Sequence, residues 1–136
     1  MAKILIVDDA AFMRMMIKDI LTKNGYEVVG EAANGIQAVE LYKAHNPELV
    51  TMDITMPEMD GIETANTIRK DSAIPIIMLS AKSEDYDKIE GLNCGADDYV
   101  TKPFNPLELI ARVNSQIRRY THLGSIAQKD EKNVYH

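Results

Sequence analysis

The chain has 136 residues, a formal net charge of −6 and a single cysteine, Cys94, with 46% hydrophobic and 26% charged residues. That is the make-up of one globular domain of roughly 100–200 residues with at most a short appendage; it excludes an internal disulfide and a CxxC metal site. A pI of about 5.0 gives no electrostatic footprint for nucleic acid by this domain alone.

No apolar run approaches the ~20 residues that span a bilayer. The opening MAKILIVDDA lacks the pattern of an export signal, so no membrane association is expected and the cytoplasm is the expected compartment.

Ile4-Leu5-Ile6-Val7 is a continuous, largely β-branched run ended by Asp8-Asp9, the pattern of a strand buried on both faces. Phe12, Met13, Met16, Ile17, Ile20 and Leu21 recur at helical spacing until Asn24-Gly25 supplies a stop. Tyr26 to Glu31 is a weaker strand, nearer an edge. Asn34 is placed to cap a helix through Ile36, Val39, Leu41 and Tyr42 that must end before Pro47. Leu49 to Met52 is a third strand, stopped at Asp53. A loop with Pro57 and Gly61 follows, then a helix through Ile62, Ala65 and Ile68 to about Lys70.

Ile74 to Leu79 is the fourth strand, with Pro75 tolerated near its start. Ser83 caps a helix through Tyr86 and Ile89 that ends near Gly95. Asp98 to Thr101 is the fifth strand. After Lys102-Pro103 comes the last helix, with Leu107, Ile110, Ala111, Asn114 and Ile117 on one face. Its pattern fades near Thr121. Residues 1–121 are therefore expected to form the domain, and 122–136 a polar tail or the start of an interdomain linker. Five βα units in succession predict an α/β fold, a single doubly wound parallel sheet of five strands with helices on both faces.

In such a sheet, sites form at the carboxyl ends of the strands. Four of those ends carry suggestive groups: Asp8-Asp9, Asp53, Ser80, and Thr101-Lys102-Pro103. Parallel strands bring them to one rim. Three carboxylates that close repel unless a cation intervenes, and all-oxygen ligands suit Mg²⁺. Lys102 adds a compact positive charge for a phosphate and Ser80 a hydroxyl. The set matches the needs of phosphoryl transfer, with one carboxylate as nucleophile.

Taken singly, each group has a plainer role. Asp8-Asp9 serves equally well as a helix cap, Ser80 as a turn residue, Lys102 as a solvated charge and Tyr99 as core packing. Met13, Met15 and Met16 suit a core or an adaptable surface. Joint placement is what favours a site.

The segments ILIVDD (4–9), LVTMDITMPEMDG (49–61), IPIIMLSA (74–81) and GADDYVTKPF (95–104), in this order and spacing, resemble response-regulator receiver domains of the CheY-like type. The resemblance covers about Lys3 to Tyr120. It implies the flavodoxin-like strand order 2-1-3-4-5 and Asp53 as phospho-acceptor. Asp8, Asp9, Asp53 and the backbone carbonyl of Thr55 would hold Mg²⁺. Ser80 and Lys102 would contact the phosphoryl group, with Lys102-Pro103 in cis. Tyr99 would move between outward and inward positions as Ser80 responds. The implied phosphodonor is a sensor histidine kinase or a small phosphodonor, and the protein is a switch rather than an enzyme.

Two outputs are implied. AAFMRMMIKDIL and GEAANGIQAVELY resemble stand-alone CheY-type proteins that bind a downstream target. KIEGLNCGADDYVTKPFNPLELIARV resembles receivers of OmpR/PhoB-type transcription factors, whose effector domain would lie outside this chain. The latter dimerise on phosphorylation through the helix around Tyr86–Ile89, the fifth strand and the last helix. Lys88, Asp97, Asp98, Glu108, Arg112 and Arg119 match the charged residues of that surface, and opposite signs there can pair across a two-fold axis.

Two rivals compete with the switch. An aspartyl-phosphate phosphatase-like hydrolase usually has an acid two residues after its nucleophile, where this chain has Thr55. A flavodoxin-like cofactor binder needs a phosphate-cradling loop after the first strand, where Asp8-Asp9 would repel a phosphate.

Overall fold

The computed structural model describes residues 2–54, 59–80 and 96–133, with side chains through Thr121. Along the chain lie β1 (Lys3–Val7), α1 (Ala11–Lys23), β2 (Glu27–Ala32), α2 (Gly35–His45), β3 (Leu49–Asp53), α3 (Gly61–Arg69), β4 (Ile76–Ser80), β5 (Asp98–Thr101) and α4 (Pro106–Asn133). The expected helix through Tyr86 and Ile89 lies outside the described residues. So do Thr55 and Lys88.

The strands form one parallel sheet in the order β2-β1-β3-β4-β5, as the alternating pattern and the resemblance imply. β1, β3 and β4 are central, so their apolar runs are buried on both faces, while β2 sits at an edge and stays half-exposed. Alternation splits the core in two. On one face Leu5, Val7, Val50, Met52, Ile76 and Met78 pack with Ala38 of α2 and Ala65 and Ile68 of α3. On the other, Ile4, Ile6, Leu49, Ile77, Leu79 and Val100 pack with Ile17 and Leu21 of α1 and Leu109 and Val113 of α4. No helix among the described residues is long and apolar enough to cross a membrane.

Local signals position the helices. Asn34 caps α2 by accepting the Gln37 N–H at 2.9 Å. Asp60 caps α3, accepting from the Glu63 N–H at 2.8 Å. α2 ends at Asn46, whose φ of 47° is the left-handed turn that asparagine tolerates.

Three expectations need correction. The buried stripe of α4 is Leu109, Val113 and Gln116, whereas Leu107, Ala111 and Asn114 of the expected face are exposed. Only Ile110 and Ile117 of that face pack against the core. Two apolar stripes overlap at the start of this helix, and the angle at which it crosses the sheet selects between them. Phe12 of α1, expected on the packing face, is 68% exposed; the inward stripe is Met13, Ile17, Ile20 and Leu21. Finally, α4 continues to Asn133, where the fading pattern predicts an end near Thr121.

Candidate metal and phosphoryl site

The carboxyl ends of β1, β3 and β5 meet as expected. One carboxylate oxygen from each of Asp8, Asp9 and Asp53 lies within 4.8 Å of the others. Asp8 is completely buried and Asp53 nearly so, while Asp9 is exposed. Lys102 reaches into the cluster, donating from Nζ to Asp8 Oδ2 at 2.7 Å and standing 3.4 Å from Asp53 Oδ1. Strand alternation explains the grouping. Asp53 follows the parity of Leu49 and Thr51. Asp8 follows Ile4 and Ile6, and Lys102 follows Val100, so all three emerge toward the α1–α4 side.

Ser80 ends β4, is 3% exposed, and pairs in register with Thr101. Its carbonyl accepts the Lys102 N–H at 2.6 Å, which ties the lysine-bearing turn to β4. The Lys102-Pro103 peptide is cis. Tyr99 is buried on the opposite parity, within the core that includes Ile76 and Met78. Ser80 shares that parity.

Asp8 does not cap α1 in the ordinary sense. The N-cap residue is Ala10, without a side-chain cap. Asp8 Oδ1 instead accepts the Ala10 N–H at 2.9 Å, which orients the carboxylate.

The electrostatics are unbalanced in a telling direction. Asp53 is pushed up from the ordinary 3.8 to about 7. Burial is the main cause; Asp8 and Asp9 push the same way, and Lys102 pulls down. Three carboxylates and one ammonium sum to a charge of −2 when all are ionised, which one divalent cation cancels. The donors are hard oxygens, in number and kind suited to Mg²⁺, which keeps octahedral geometry at about 2.1 Å and retains waters. The residues present therefore fit that ion.

Among the described residues of the expected dimer surface, Asp97, Asp98, Glu108 and Arg112 are engaged internally. Asp97 Oδ2 accepts from Arg69 Nη2 and from the Ile76 N–H, both at 2.9 Å. Arg112 bonds Asp98 and Glu108. Arg119 is exposed.

Sequence reasoning overlooked two residues at this site. Gly61 opens α3 against the end of β3: its N–H donates to the Ile54 carbonyl at 2.8 Å, and a Cβ there would collide with the Asp53 carbonyl. Pro57 and Gly61 signalled a loop, but not this contact. Arg14 donates from Nη1 to the Asp8 carbonyl at 2.6 Å. A single arginine on the polar face of a helix carries no signal of such a role.

With this geometry established, comparison with known proteins is specific. The family model for the response regulator receiver domain matches residues 4–114. The chemotaxis protein CheY of Bacillus subtilis (strain 168) is 56% identical over 116 residues, covering 85% of this chain and 97% of that protein. The probable transcriptional regulator ycf27 of Porphyridium aerugineum is 46% identical over 123 residues, 90% of this chain but 51% of its own length. The chain thus spans about half of that regulator. Among solved structures, the CheX–CheY–BeF3–Mg complex of Borrelia burgdorferi aligns with a TM-score of 0.80 and 37% identity, over 84% of this chain and 87% of the other. The chain belongs to the response-regulator receiver-domain family, the signalling modules of two-component systems.

Proposed function

We propose that this receiver accepts a phosphoryl group on Asp53 from the phosphohistidine of a sensor kinase, in a Mg²⁺-dependent reaction, and changes its β5–α4 surface in response. The observation that carries this reading is the Asp8–Asp9–Asp53 cluster with Lys102 inside it. Asp8, Asp9 and Asp53, with the Thr55 carbonyl as an expected fourth protein ligand, would hold the ion, which supplies charge neutralisation for the incoming phosphoryl oxygens.

Asp53 acts as nucleophile. Its carboxylate oxygen bonds to phosphorus as the donor's phosphorus–nitrogen bond breaks, and the imidazole leaves with the electron pair. Lys102 moves its contact from Asp8 and Asp53 to a phosphoryl oxygen. The Ser80 hydroxyl donates to another, and Tyr99, packed on the same side of the sheet, follows it. A phosphoryl group adds about −1.5 to −2 charges at pH 7 and three acceptor oxygens, enough to bias two packings of the adjoining loops.

The favoured output is binding of a partner protein, which the 56% identity to a CheY chemotaxis protein supports. The similarity to a longer transcriptional regulator supports the second output, control of an effector domain through residues 122–136 acting as a linker. A phosphatase-like hydrolase is disfavoured because Thr55 stands where its acid/base would be.

Acetyl phosphate with Mg²⁺ is expected to add one phosphoryl mass, stable in acid and lost in hydroxylamine. Chelation of the metal should abolish the addition, and Asp53→Asn should show an unchanged mass. Modification that survives Asp53→Asn refutes the assignment.

A further inference from the structure

We infer that Arg14 is a positioning residue for the cation site, acting through the backbone of Asp8 and itself held from the edge of the sheet by Glu31. The inference rests on the reading of Asp8, Asp9 and Asp53 as a Mg²⁺ site.

Every polar atom of Asp8 has a partner. Its N–H donates to the Ala32 carbonyl at 3.0 Å. Its Oδ1 accepts from the Ala10 N–H at 2.9 Å and its Oδ2 from Lys102 Nζ at 2.7 Å. Its carbonyl accepts from Arg14 Nη1 at 2.6 Å. The first three contacts come from the sheet edge, the helix entry and the phosphate-binding lysine. Of these, the Lys102 contact is given up when the lysine turns to a phosphoryl oxygen. What then holds Asp8 is the Ala10 contact to its carboxylate and the two contacts to its backbone. The carbonyl lies one peptide from Asp9, so the Arg14 contact fixes the turn that aims both carboxylates.

The guanidinium is well placed for this. It is largely buried, with its side chain 18% exposed, and Nε lies 3.6 Å from Glu31 Oε1. Glu31 also pairs with Lys18 at 3.5 Å. It immediately precedes Ala32, whose carbonyl holds the Asp8 N–H. The end of β2 therefore grips Asp8 directly through Ala32 and indirectly through Glu31 and Arg14. A planar fork holds two divergent partners in a fixed geometry, whereas an ammonium is a compact point charge on a flexible stem. Partners that orient metal ligands typically contribute 10–100-fold to metal affinity.

Charge and positioning predict opposite signs. Removing a cation beside a Mg²⁺ site strengthens binding by Coulomb's law. Removing a support for the ligands weakens it. Isothermal titration with Mg²⁺ is expected to show Arg14→Met binding at least about tenfold more weakly than the wild type. Affinity that is unchanged or higher overturns the inference.

Should Arg14→Met fail to fold, Arg14→Lys decides, because it keeps the charge and loses the fork. A Kd raised severalfold supports the role, and a wild-type Kd refutes it. Thermal melts run alongside separate lost stability from lost affinity. Asp9→Asn serves as the control. If the wild type itself binds no Mg²⁺, the cation site is wrong and this inference falls with it. If the wild type binds, Asp9→Asn does not, and the Arg14 variants match the wild type, only the positioning role fails.

Discussion

At the scale of single residues, Asp53 shows how function is set against stability. Its carboxyl titrates near 7 in the folded protein against 3.8 ordinarily, so folding favours the protonated form. That contribution is fully present below pH 3.8 and is lost as pH rises through 7, because the unfolded chain ionises freely while the folded one must bury the charge. Across the whole window this amounts to at most about 4 kcal/mol. Asp53→Asn removes the titration. Urea unfolding with a chelator present is therefore expected to show the variant and wild type converging near pH 4. Near pH 8 the variant should be the more stable, by roughly 2–4 kcal/mol. Adding Mg²⁺ should raise wild-type stability and narrow the gap, since a ligand of the native state stabilises it by mass action. Equal stabilities at pH 8 without metal would show that Asp53 is not held in a charge-excluding site.

Asp53 and its neighbours were legible in the sequence for a simple reason. Parallel strands aim their carboxyl ends at one rim, and a period of two carries Asp8, Asp53 and Lys102 to the same side. Arg14 and Gly61 were not legible, since their importance lies in contacts with backbone carbonyls, and a backbone partner leaves no trace in residue type.

At the scale of elements, the strands announced themselves through composition. β5 runs from Asp98 to Thr101 as expected, and β2 and β4 differ from expectation by one or two residues at their ends. Burial on both faces leaves a continuous apolar run that admits few other readings. Helix faces proved harder: α1 and α4 each carry more apolar residues than the sheet can cover, so Phe12 and Leu107 remain exposed. Periodicity fixes that a helix is amphipathic, but the crossing angle fixes which stripe is used.

The junction of β3 and α3 is a place where one element tightly constrains another. α3 begins with its first residue against the Asp53 carbonyl and the Ile54 backbone, so the helix seats the acceptor strand. Gly61→Ala must push backbone against backbone, with no flexible side chain to yield. Such overpacking is expected to cost at least about 2 kcal/mol in urea unfolding, and to slow phosphorylation by acetyl phosphate because Asp53 shifts with its strand. A stability within about 0.5 kcal/mol of wild type would show that the helix can slide away at no cost.

At the scale of the whole molecule, the question is whether the β5–α4 face joins two copies. Its acids already have partners: Asp97 binds Arg69 and the Ile76 N–H, while Asp98 and Glu108 share Arg112. A two-fold interface built on these charges exchanges internal pairs for external ones. Each exchange nets little, because exposed pairs contribute only about 0–1 kcal/mol, while association itself costs several kcal/mol of lost freedom. Charge alone therefore specifies the register of a dimer better than it stabilises one. Light scattering is expected to give the 15.2 kDa monomer without a phosphoryl mimic. With beryllofluoride and Mg²⁺, a dimer with a dissociation constant above about 10 µM is expected, and it should weaken further as salt rises. A tight dimer indifferent to salt would locate the driving force in apolar contact rather than in these charges. A monomer at every concentration, with and without the mimic, would leave partner binding as the sole output of this face.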